Sequence, residues 1–414
     1  MLLDGSGPRG YRYASRNRWT MPAERARLLA LQMVFALNAL GLSVWFPRIP
    51  DVKEALGLDV LTLAFCLFGM PVGTMLGFIV VPRIIRRLGT RRTVMWGGSI
   101  FLLAFIGPAL AWSAPALGFA LFLCGLTIAS IEVSMNAKAS QTERVIGRRI
   151  MTRCHAFWSF GTVVGALIAG VFAQQQIPFL TQQLILQPLF AAATVWFGLR
   201  LIPDDPEPVE EEGRKGFSLP SLALVTMCLI PLGALLIEGA MMEWSALLMR
   251  EWKGAGPFVT AFTFSVFAVA MAFSRLTGDQ LAERFGTQAV IFASGLLMAT
   301  GIAGFGLAPG LWMSLPAAAF AGAGAGNIYP LTMSIVAQLP GLRPERNVAT
   351  LALVAFTAFL IGPPLIGGLA HLIGLPWALA ILAPLGIAPL ALVGRARAPA
   401  LGRRPGAQGG AQPQ

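Results

Sequence analysis

Apolar residues occur in twelve long runs along the chain, and short polar segments separate each run from the next. Each run has about 20 residues, the length that an α-helix needs to cross the hydrocarbon core of a bilayer. Glycine, proline or a single polar residue interrupts the runs, as expected for helices that kink or line a cavity. We therefore predict an all-α membrane protein with twelve transmembrane helices at these positions: 25–46, 60–82, 93–112, 116–139, 153–174, 183–202, 219–245, 258–278, 288–308, 312–338, 348–370 and 376–394.

One acidic, proline-rich segment, PDDPEPVEEEGRKG at Pro203–Gly216, separates six runs from six. An internal repeat supports this division, because Arg86-Arg87-Leu88-Gly89-Thr90 follows the second run and Glu283-Arg284-Phe285-Gly286-Thr287 follows the eighth. Two parallel six-helix halves are typical of a large transporter class whose substrate site lies between the halves. The predicted domains are a cytoplasmic basic tail at 1–24, an N-terminal half at 25–202, a cytoplasmic linker at 203–217, a C-terminal half at 218–394 and a cytoplasmic disordered tail at 395–414.

Composition and charge agree with a membrane protein. Of the 414 residues, 56% are hydrophobic and 12% are charged, whereas soluble domains have roughly 25% charged residues. If the N-terminus is cytoplasmic, 27 of the 31 lysines and arginines fall in cytoplasmic segments or in the helix ends beside them. The positive-inside rule then places both termini in the cytoplasm, and we expect a multi-pass protein of the bacterial inner membrane. The net charge of +12 reflects basic residues that lie against anionic lipid, so it does not indicate a nucleic-acid partner.

The sequence has none of the motifs that would indicate an enzyme. It has two histidines, His155 and His371, and four scattered cysteines, so neither a metal site nor a disulfide framework is indicated. It has no phosphate-binding loop and no nucleophile motif. We expect no enzymatic activity, no cofactor and no metal. The expected partners of a monomer are a small-molecule substrate, protons and the lipid bilayer.

Carboxylates inside the apolar runs are the strongest functional signal, because an ionised carboxylate in hydrocarbon costs several kcal/mol. Glu132 and Asn136 lie one helical turn apart in the fourth run, so they share a helix face. Glu238 lies in the seventh run. We predict that all three contact substrate and that Glu132, then Glu238, exchanges a proton. The structural alternative for Glu132 is an ion pair with Lys138 or with an arginine of the following loop.

Other side chains in the runs are weaker candidates. We predict that His155, at the start of the fifth run, relays protons; a hydrogen bond at the helix terminus is the alternative. Glu243 is either a further site group or exposed to water at the end of the seventh run. Bonding between helices and anchoring at the membrane interface are the alternatives to substrate contact for the polar and aromatic candidates. These candidates are Asn38, Asn327, Tyr329, Trp158 and Trp244.

The loop after the second run resembles the signature of the major facilitator superfamily, G-x-x-x-D-R-x-G-R-R. Arg87, Gly89 and Arg91 match the signature, whereas Arg86 stands at its acidic position and Pro82 at its leading glycine. The segments SMNAKASQTER…GRRIMTRCHAFWSFG, IEGAMMEWSALL and SRLTGDQLAERFG are similar to the fucose-permease-like branch. This resemblance covers roughly residues 25–395 and implies the major facilitator fold, in which helices 1, 4, 7 and 10 line a central cavity.

The resemblance also implies a cytoplasmic gate, since the signature loop latches that side of the superfamily's transporters when they open outward. Because Arg86 replaces the acid, we predict a swapped ion pair of Arg86 or Arg87 with Glu143. The second copy of the loop keeps an acid and a base, Glu283 and Arg284. The alternative is that the arginines only set the topology.

A secondary active transporter of a small polar or amphipathic solute, working by alternating access, is the function that the resemblance implies. Fucose-permease-like transporters use a helix 4 carboxylate for proton coupling, and Glu132 matches that position. They also use a helix 1 aspartate, where the nearest candidate here is Asn38, which does not titrate. The Gly-Pro motif of proton antiporters is missing from the fifth run, so we expect proton-coupled uptake. The alternatives are proton-driven efflux of a drug or metabolite and, from another class, a non-transporting membrane sensor.

Overall fold

The computed structural model of the protein describes residues 21–148, 150–204, 222–337 and 344–387. Within these ranges the chain forms twelve long helical segments and no strand. Their bounds are α1 Met21–Ser43, α2 Val60–Leu88, α3 Thr90–Leu110, α4 Ala114–Ile146, α5 Met151–Gln174, α6 Phe179–Gly198, α7 Leu222–Leu247, α8 Pro257–Phe285, α9 Thr287–Leu307, α10 Leu311–Ala337, α11 Pro344–Ile373 and α12 Leu375–Ile387. Of these described segments, nine are long and apolar enough to cross a membrane; α6, α10 and α12 are the others.

The predicted helix count is confirmed, and the boundaries differ most at α4. This helix continues to Ile146, beyond the predicted end at 139, because its last turns are polar but contain good helix formers such as Gln141 and Glu143. The predicted tails at 1–24 and 395–414 and the predicted linker at 203–217 lie almost wholly outside the described residues.

Equivalent helices of the two halves make equivalent contacts. In the N-terminal half α1 packs on α5 and α2 on α4, and in the C-terminal half α7 packs on α11 and α8 on α10. In the same way α3 lies against α6, and α9 lies against α12. This correspondence is the one expected for parallel repeats, and the halves meet where α5 contacts α8 and α2 contacts α11.

Glycines allow α1 and α5 to approach closely. A Cβ atom added at Gly161 would lie 2.2 Å from the carbonyl oxygen of Ala36, and one at Gly165 would lie 2.4 Å from that of Leu40. Small residues permit such backbone contact between membrane helices, where dispersion rather than hydrophobic burial drives association. Any larger residue at these positions would separate the two helices.

Buried glutamines of α6 support the end of α1. Gln182 and Gln187 are fully buried, and their amides donate to the carbonyl oxygens of Val44 at 3.2 Å and of Gly41 at 2.9 Å. Because an unsatisfied backbone carbonyl costs several kcal/mol in hydrocarbon, these bonds stabilise the chain where α1 ends at Ser43.

Candidate functional site

The helix bundle has two chemically different ends. We call residues 44–59 and 248–256 the gate end, and residues 83–92 and 138–148 the arginine end. The gate end contains a short helix, Ile49–Ala55, that follows α1, and an irregular turn, Leu248–Trp252, that continues α7. These two extensions occupy equivalent positions in the two halves.

Two ion pairs join the halves at the gate end. The Nζ atom of Lys53 lies 2.7 Å from Oε1 of Glu251, and a guanidinium nitrogen of Arg250 lies 3.0 Å from Oδ1 of Asp51. All described ion pairs between the halves lie at this end. The conformation is therefore closed here.

Asp51 is shared between two arginines. Besides Arg250, it pairs with the Nε atom of Arg48, which is nearly fully buried. Arg48 also donates to the side chain of Gln182 and to the carbonyl oxygen of Ile177, both at 2.9 Å. Asp51 thus connects Arg48, which is fixed in the N-terminal half, to Arg250 in the turn that continues α7.

Small residues close the contact between the halves. A Cβ atom added at Gly367 of α11 would lie 2.1 Å from Cβ of Ala64 in α2, and one at Gly170 of α5 would lie 2.6 Å from Cβ of Ala261 in α8. Both contacts are on the side of the bundle that leads to the gate end. The ion pairs therefore lie above a tightly packed, apolar seam.

At the arginine end, Asp204 binds the loop between α2 and α3. Its carboxylate accepts from Nζ of Lys138 at 2.8 Å and from the backbone N–H of Arg91 at 2.9 Å. Lys138 is fully buried. A Cβ atom at Gly89 would lie 2.5 Å from Oδ2 of Asp204, so glycine gives the carboxylate room against the loop. Asp204 lies in the segment that follows α6, so this network stays within the N-terminal half.

The predicted ion pair of Arg86 or Arg87 with Glu143 is not formed in this conformation. Glu143 instead accepts from the backbone N–H groups of Ile150 at 2.6 Å and Met151 at 2.8 Å, where it caps the start of α5. Both arginines are exposed. The physical reason is that four free N–H groups at a helix start attract a nearby carboxylate. The acid that reaches the altered signature loop is Asp204, not Glu143.

In the second copy of the loop, the predicted gate residues Glu283 and Arg284 also form no ion pair among the described residues. Glu283 and Arg284 are both exposed, and the guanidinium of Arg284 lies 5.1 Å from the centre of the Phe285 ring. The five residues of the predicted cytoplasmic gate are therefore not joined to one another in this conformation.

A carboxylate and an arginine meet in the C-terminal half, at the interior of the bundle. The two oxygens of Glu238 accept from one guanidinium nitrogen of Arg275 at 3.4 and 3.5 Å, and Nε of Arg275 donates to the carbonyl oxygen of Gly326 at 3.4 Å. The Arg275 side chain is 36% exposed. These long bonds link α7, α8 and α10, and they leave the arginine accessible.

Residues of both halves meet around this pair. Electrostatic interactions connect Tyr329 of α10 with Glu132 in α4 and with Glu238 in α7. The charge of Arg275 acts on His155 of α5, which is exposed and whose ring packs edge-on against Phe35 of α1 at 5.6 Å. Among the predicted residues, Glu132 and Glu238 thus act on Tyr329, and His155 is acted on by Arg275, a residue that the structure adds.

Glu132 has no cationic partner among the described residues. Lys138, the partner in the predicted alternative, pairs with Asp204 in this conformation. Asn136 donates to the backbone oxygen of Glu132 at 2.7 Å, so its amide nitrogen is used within α4. The Glu132 carboxylate therefore remains available in a mostly apolar surrounding.

Asn38 does not face the space between the halves. It is fully buried, and its Nδ2 atom donates to the carbonyl oxygen of Val34 at 2.8 Å. Its side chain packs against Gly98 of α3 and close to Thr194 of α6. Its Oδ1 atom has no hydrogen-bond partner among the described residues. The structure thus favours a role inside the N-terminal half over a substrate contact.

Trp244 and Asn327 are buried against neighbouring helices as well. Trp244 is fully buried beside Gly367 of α11, which excludes anchoring at the membrane interface. The side chain of Asn327 fills the space over Gly278 of α8. Trp158 is half-buried and packs against the core, so this conformation presents none of the three as a free stacking or binding surface.

Arg275 and the gate-end charges are the functional candidates that sequence reasoning missed. Arg275 lies within a predicted apolar run. An ionisable residue at such a position indicates a functional site, so the sequence did contain a signal for it. At the gate end, Arg48 follows α1 and Arg250 ends α7, with acids close by in sequence. Because acids and bases stand at equivalent positions in the two halves, ion pairs between the halves are the expected arrangement.

Comparison with known proteins decides the family. The sequence profile of the Major Facilitator Superfamily matches residues 237–413. An uncharacterised transporter of Sinorhizobium fredii, y4wD, is 30% identical over 341 residues, which are 81% of this chain and 89% of that protein. The chain belongs to the major facilitator superfamily. It is therefore a membrane transporter and not an enzyme.

Further similarities agree with this family. The membrane protein MosC of Rhizobium meliloti is 26% identical over 373 residues, which are 89% of each protein. A variant of the nucleoside transporter NupG has the same fold, with a TM-score of 0.72, 13% identity and coverage of 89% of this chain and 100% of that one. The D-xylose-proton symporter has a TM-score of 0.69, 12% identity and coverage of 90% and 97%. The predicted major facilitator fold is confirmed.

Proposed function

We propose that this major facilitator protein is a proton-coupled transporter that takes up a small polar or amphipathic solute across the bacterial inner membrane. Both termini and the arginine end face the cytoplasm. The bacterial sources of its relatives and the one-sided distribution of lysine and arginine support this orientation. The gate end then faces the periplasm, and its closed ion pairs make this the conformation that faces inward.

One observation supports coupled transport above the others. Glu132 of one half and Glu238 of the other both act electrostatically on Tyr329, and Glu238 pairs with Arg275, in a bundle whose gate end is closed. Ionisable groups in membrane helices are costly and mark ion or substrate pathways. A site built from both halves changes when the halves move, which is the requirement for coupling to alternating access.

The partners of the two carboxylates suggest different tasks. Glu238 pairs with the guanidinium of Arg275 at 3.4 Å. Glu132 has no such partner among the described residues, and an unpaired charge in an apolar site is strongly unfavourable. We therefore assign the transported proton to Glu132, and we assign substrate contacts to Glu238, Arg275, Asn136 and Tyr329. His155 is assigned to proton exchange with the cytoplasm.

Uptake is proposed over efflux because α5 has no Gly-Pro motif, a sequence argument. The names of the similar solved structures include a nucleoside transporter and a proton-coupled sugar symporter. At 12–13% identity they share the fold alone. Assignment to the fucose-permease-like branch is part of the proposal.

The test is transport by purified protein in proteoliposomes. A panel of radiolabelled sugars, nucleosides, organic acids and cationic drugs is offered under an inward proton gradient. We expect at least one compound to accumulate about tenfold. Glu132→Gln should abolish accumulation but retain exchange of that compound between the two sides, because only the proton step is lost. Glu54→Gln removes an exposed carboxylate at the gate end and should leave accumulation unchanged.

Each failure has a separate meaning. Full proton-driven accumulation by the Glu132→Gln variant would contradict the coupling assignment. Export of a drug or metabolite in exchange for entering protons, without any uptake, would replace uptake by efflux. Absence of protein-dependent flux for every class of compound would favour the non-transporting sensor.

A further inference from the structure

A cavity lies beside Arg148 of the arginine end. It has a volume of about 370 Å³ and opens between α1 and the start of α5. Its lining residues are Arg25, Leu28, Leu29, Gln32, Arg148 and Arg153. The transport proposal uses none of them.

The charge of this cavity is positive. Arg148 pairs with Glu24 at 3.0 Å, which neutralises one of the three arginines. Arg25 and Arg153 are exposed and have no carboxylate partner among the described residues. Two uncompensated guanidinium groups at one opening attract an anion, and guanidinium is suited to phosphate because it donates two parallel hydrogen bonds.

Two leucines form the apolar part of the cavity wall. Leu28 is buried, whereas Leu29 is 49% exposed. From Arg25 to Gln32 the cavity follows α1 for about 10 Å, at 1.5 Å per residue. A free inorganic anion would contact the arginines alone and would leave the exposed part of Leu29 uncovered. A ligand with an anionic head and a hydrocarbon tail matches both parts.

The position along the bundle fits the same ligand. The arginine end has the chain's densest described group of basic residues, and basic pockets between helices at such a boundary bind anionic lipid headgroups. We propose that this cavity binds the phosphate of an anionic phospholipid, with Arg25 and Arg153 on the phosphate and an acyl chain along Leu29. The bound lipid would connect α1 to α5, the two helices that pack through Gly161 and Gly165.

The test measures lipid preference with two double variants of equal charge. Full-length protein in detergent is titrated with short-chain phosphatidylglycerol and with phosphatidylcholine, and binding and thermal unfolding are recorded. We expect phosphatidylglycerol to bind at least tenfold more tightly and to raise Tm. Arg25→Gln with Arg153→Gln should remove this preference. Arg83→Gln with Arg200→Gln should keep it, because those arginines bond carbonyl oxygens of their own helices.

Two further measurements distinguish a lipid headgroup from free inorganic phosphate as the source of the phosphate. Inorganic phosphate at the same concentration should neither raise Tm nor displace the lipid, and Leu29→Ser should weaken lipid binding about fivefold without reducing the protein's stability. An unchanged preference in the Arg25→Gln, Arg153→Gln variant would overturn the proposal. So would equal protection by inorganic phosphate, which would make the cavity a site for a free anion.

Discussion

The gate end and the arginine end differ in how their charges are paired. At the gate end two described pairs cross between the halves, Lys53 with Glu251 and Arg250 with Asp51, and the Arg48 pair within the N-terminal half shares the carboxylate of Asp51. At the arginine end the described pairs lie inside the N-terminal half: Lys138 with Asp204 and Arg148 with Glu24. A pair that crosses the halves must break when they separate, whereas an internal pair moves with its half. Charges at the gate end should therefore set the conformational equilibrium, and charges at the arginine end should set stability.

Asp51→Asn should have the largest effect. It removes the carboxylate shared by buried Arg48 and by Arg250, and breaking a buried ion pair by removing one partner costs about 3 kcal/mol or more. We expect a lower Tm and a gate end that opens. Thermal unfolding in detergent reports the first, and the distance between spin labels at Ala55→Cys and Trp252→Cys reports the second.

The control for this variant is Glu54→Gln, which removes an exposed neighbouring carboxylate. The four native cysteines are buried, so the labels select the introduced positions. An Asp51→Asn variant with the Tm and label distance of the control would show that the shared carboxylate does not hold the gate end closed.

Asp204→Asn should have an intermediate effect and a different signature. It weakens the bond to fully buried Lys138 and to the loop after α2, for which we expect a loss of about 2 kcal/mol in the free energy of unfolding. The label distance at the gate end should stay unchanged. The double variant Lys138→Met with Asp204→Leu should regain most of the stability, because an apolar replacement of a buried pair is often neutral. A changed gate distance in Asp204→Asn would contradict the division between the two ends.

A charge swap at the gate end should have the smallest effect. Lys53→Glu places two carboxylates together, and for a partly exposed pair we expect about 1 kcal/mol, or roughly a fivefold larger open fraction. Glu251→Lys added to Lys53→Glu restores opposite charges and should restore the label distance. If the double variant stays as open as the single one, the pair has no part in closing the gate end.

The predicted helices and the candidate carboxylates show how far sequence reasoning extends. Membrane spans follow from runs of neighbouring residues, so all twelve were predicted and only ends such as that of α4 shifted. Glu132 and Glu238 stand out because a carboxylate is rare in an apolar run. The structure buries Asn38 inside the N-terminal half, and the sequence could not indicate this direction, because a membrane helix that is apolar on every face has no amphipathic stripe.

The sequence by itself determined the class of the protein: hydropathy defines the spans, and the repeated loop defines two halves. Each of these properties depends on residues that are close in the chain. The tertiary structure decided the pairings, such as Asp204 rather than Glu143 at the altered signature loop and Arg275 beside Glu238. The physical reason is that an ion pair depends on which helices meet and at what depth, and these contacts join residues that are far apart in sequence.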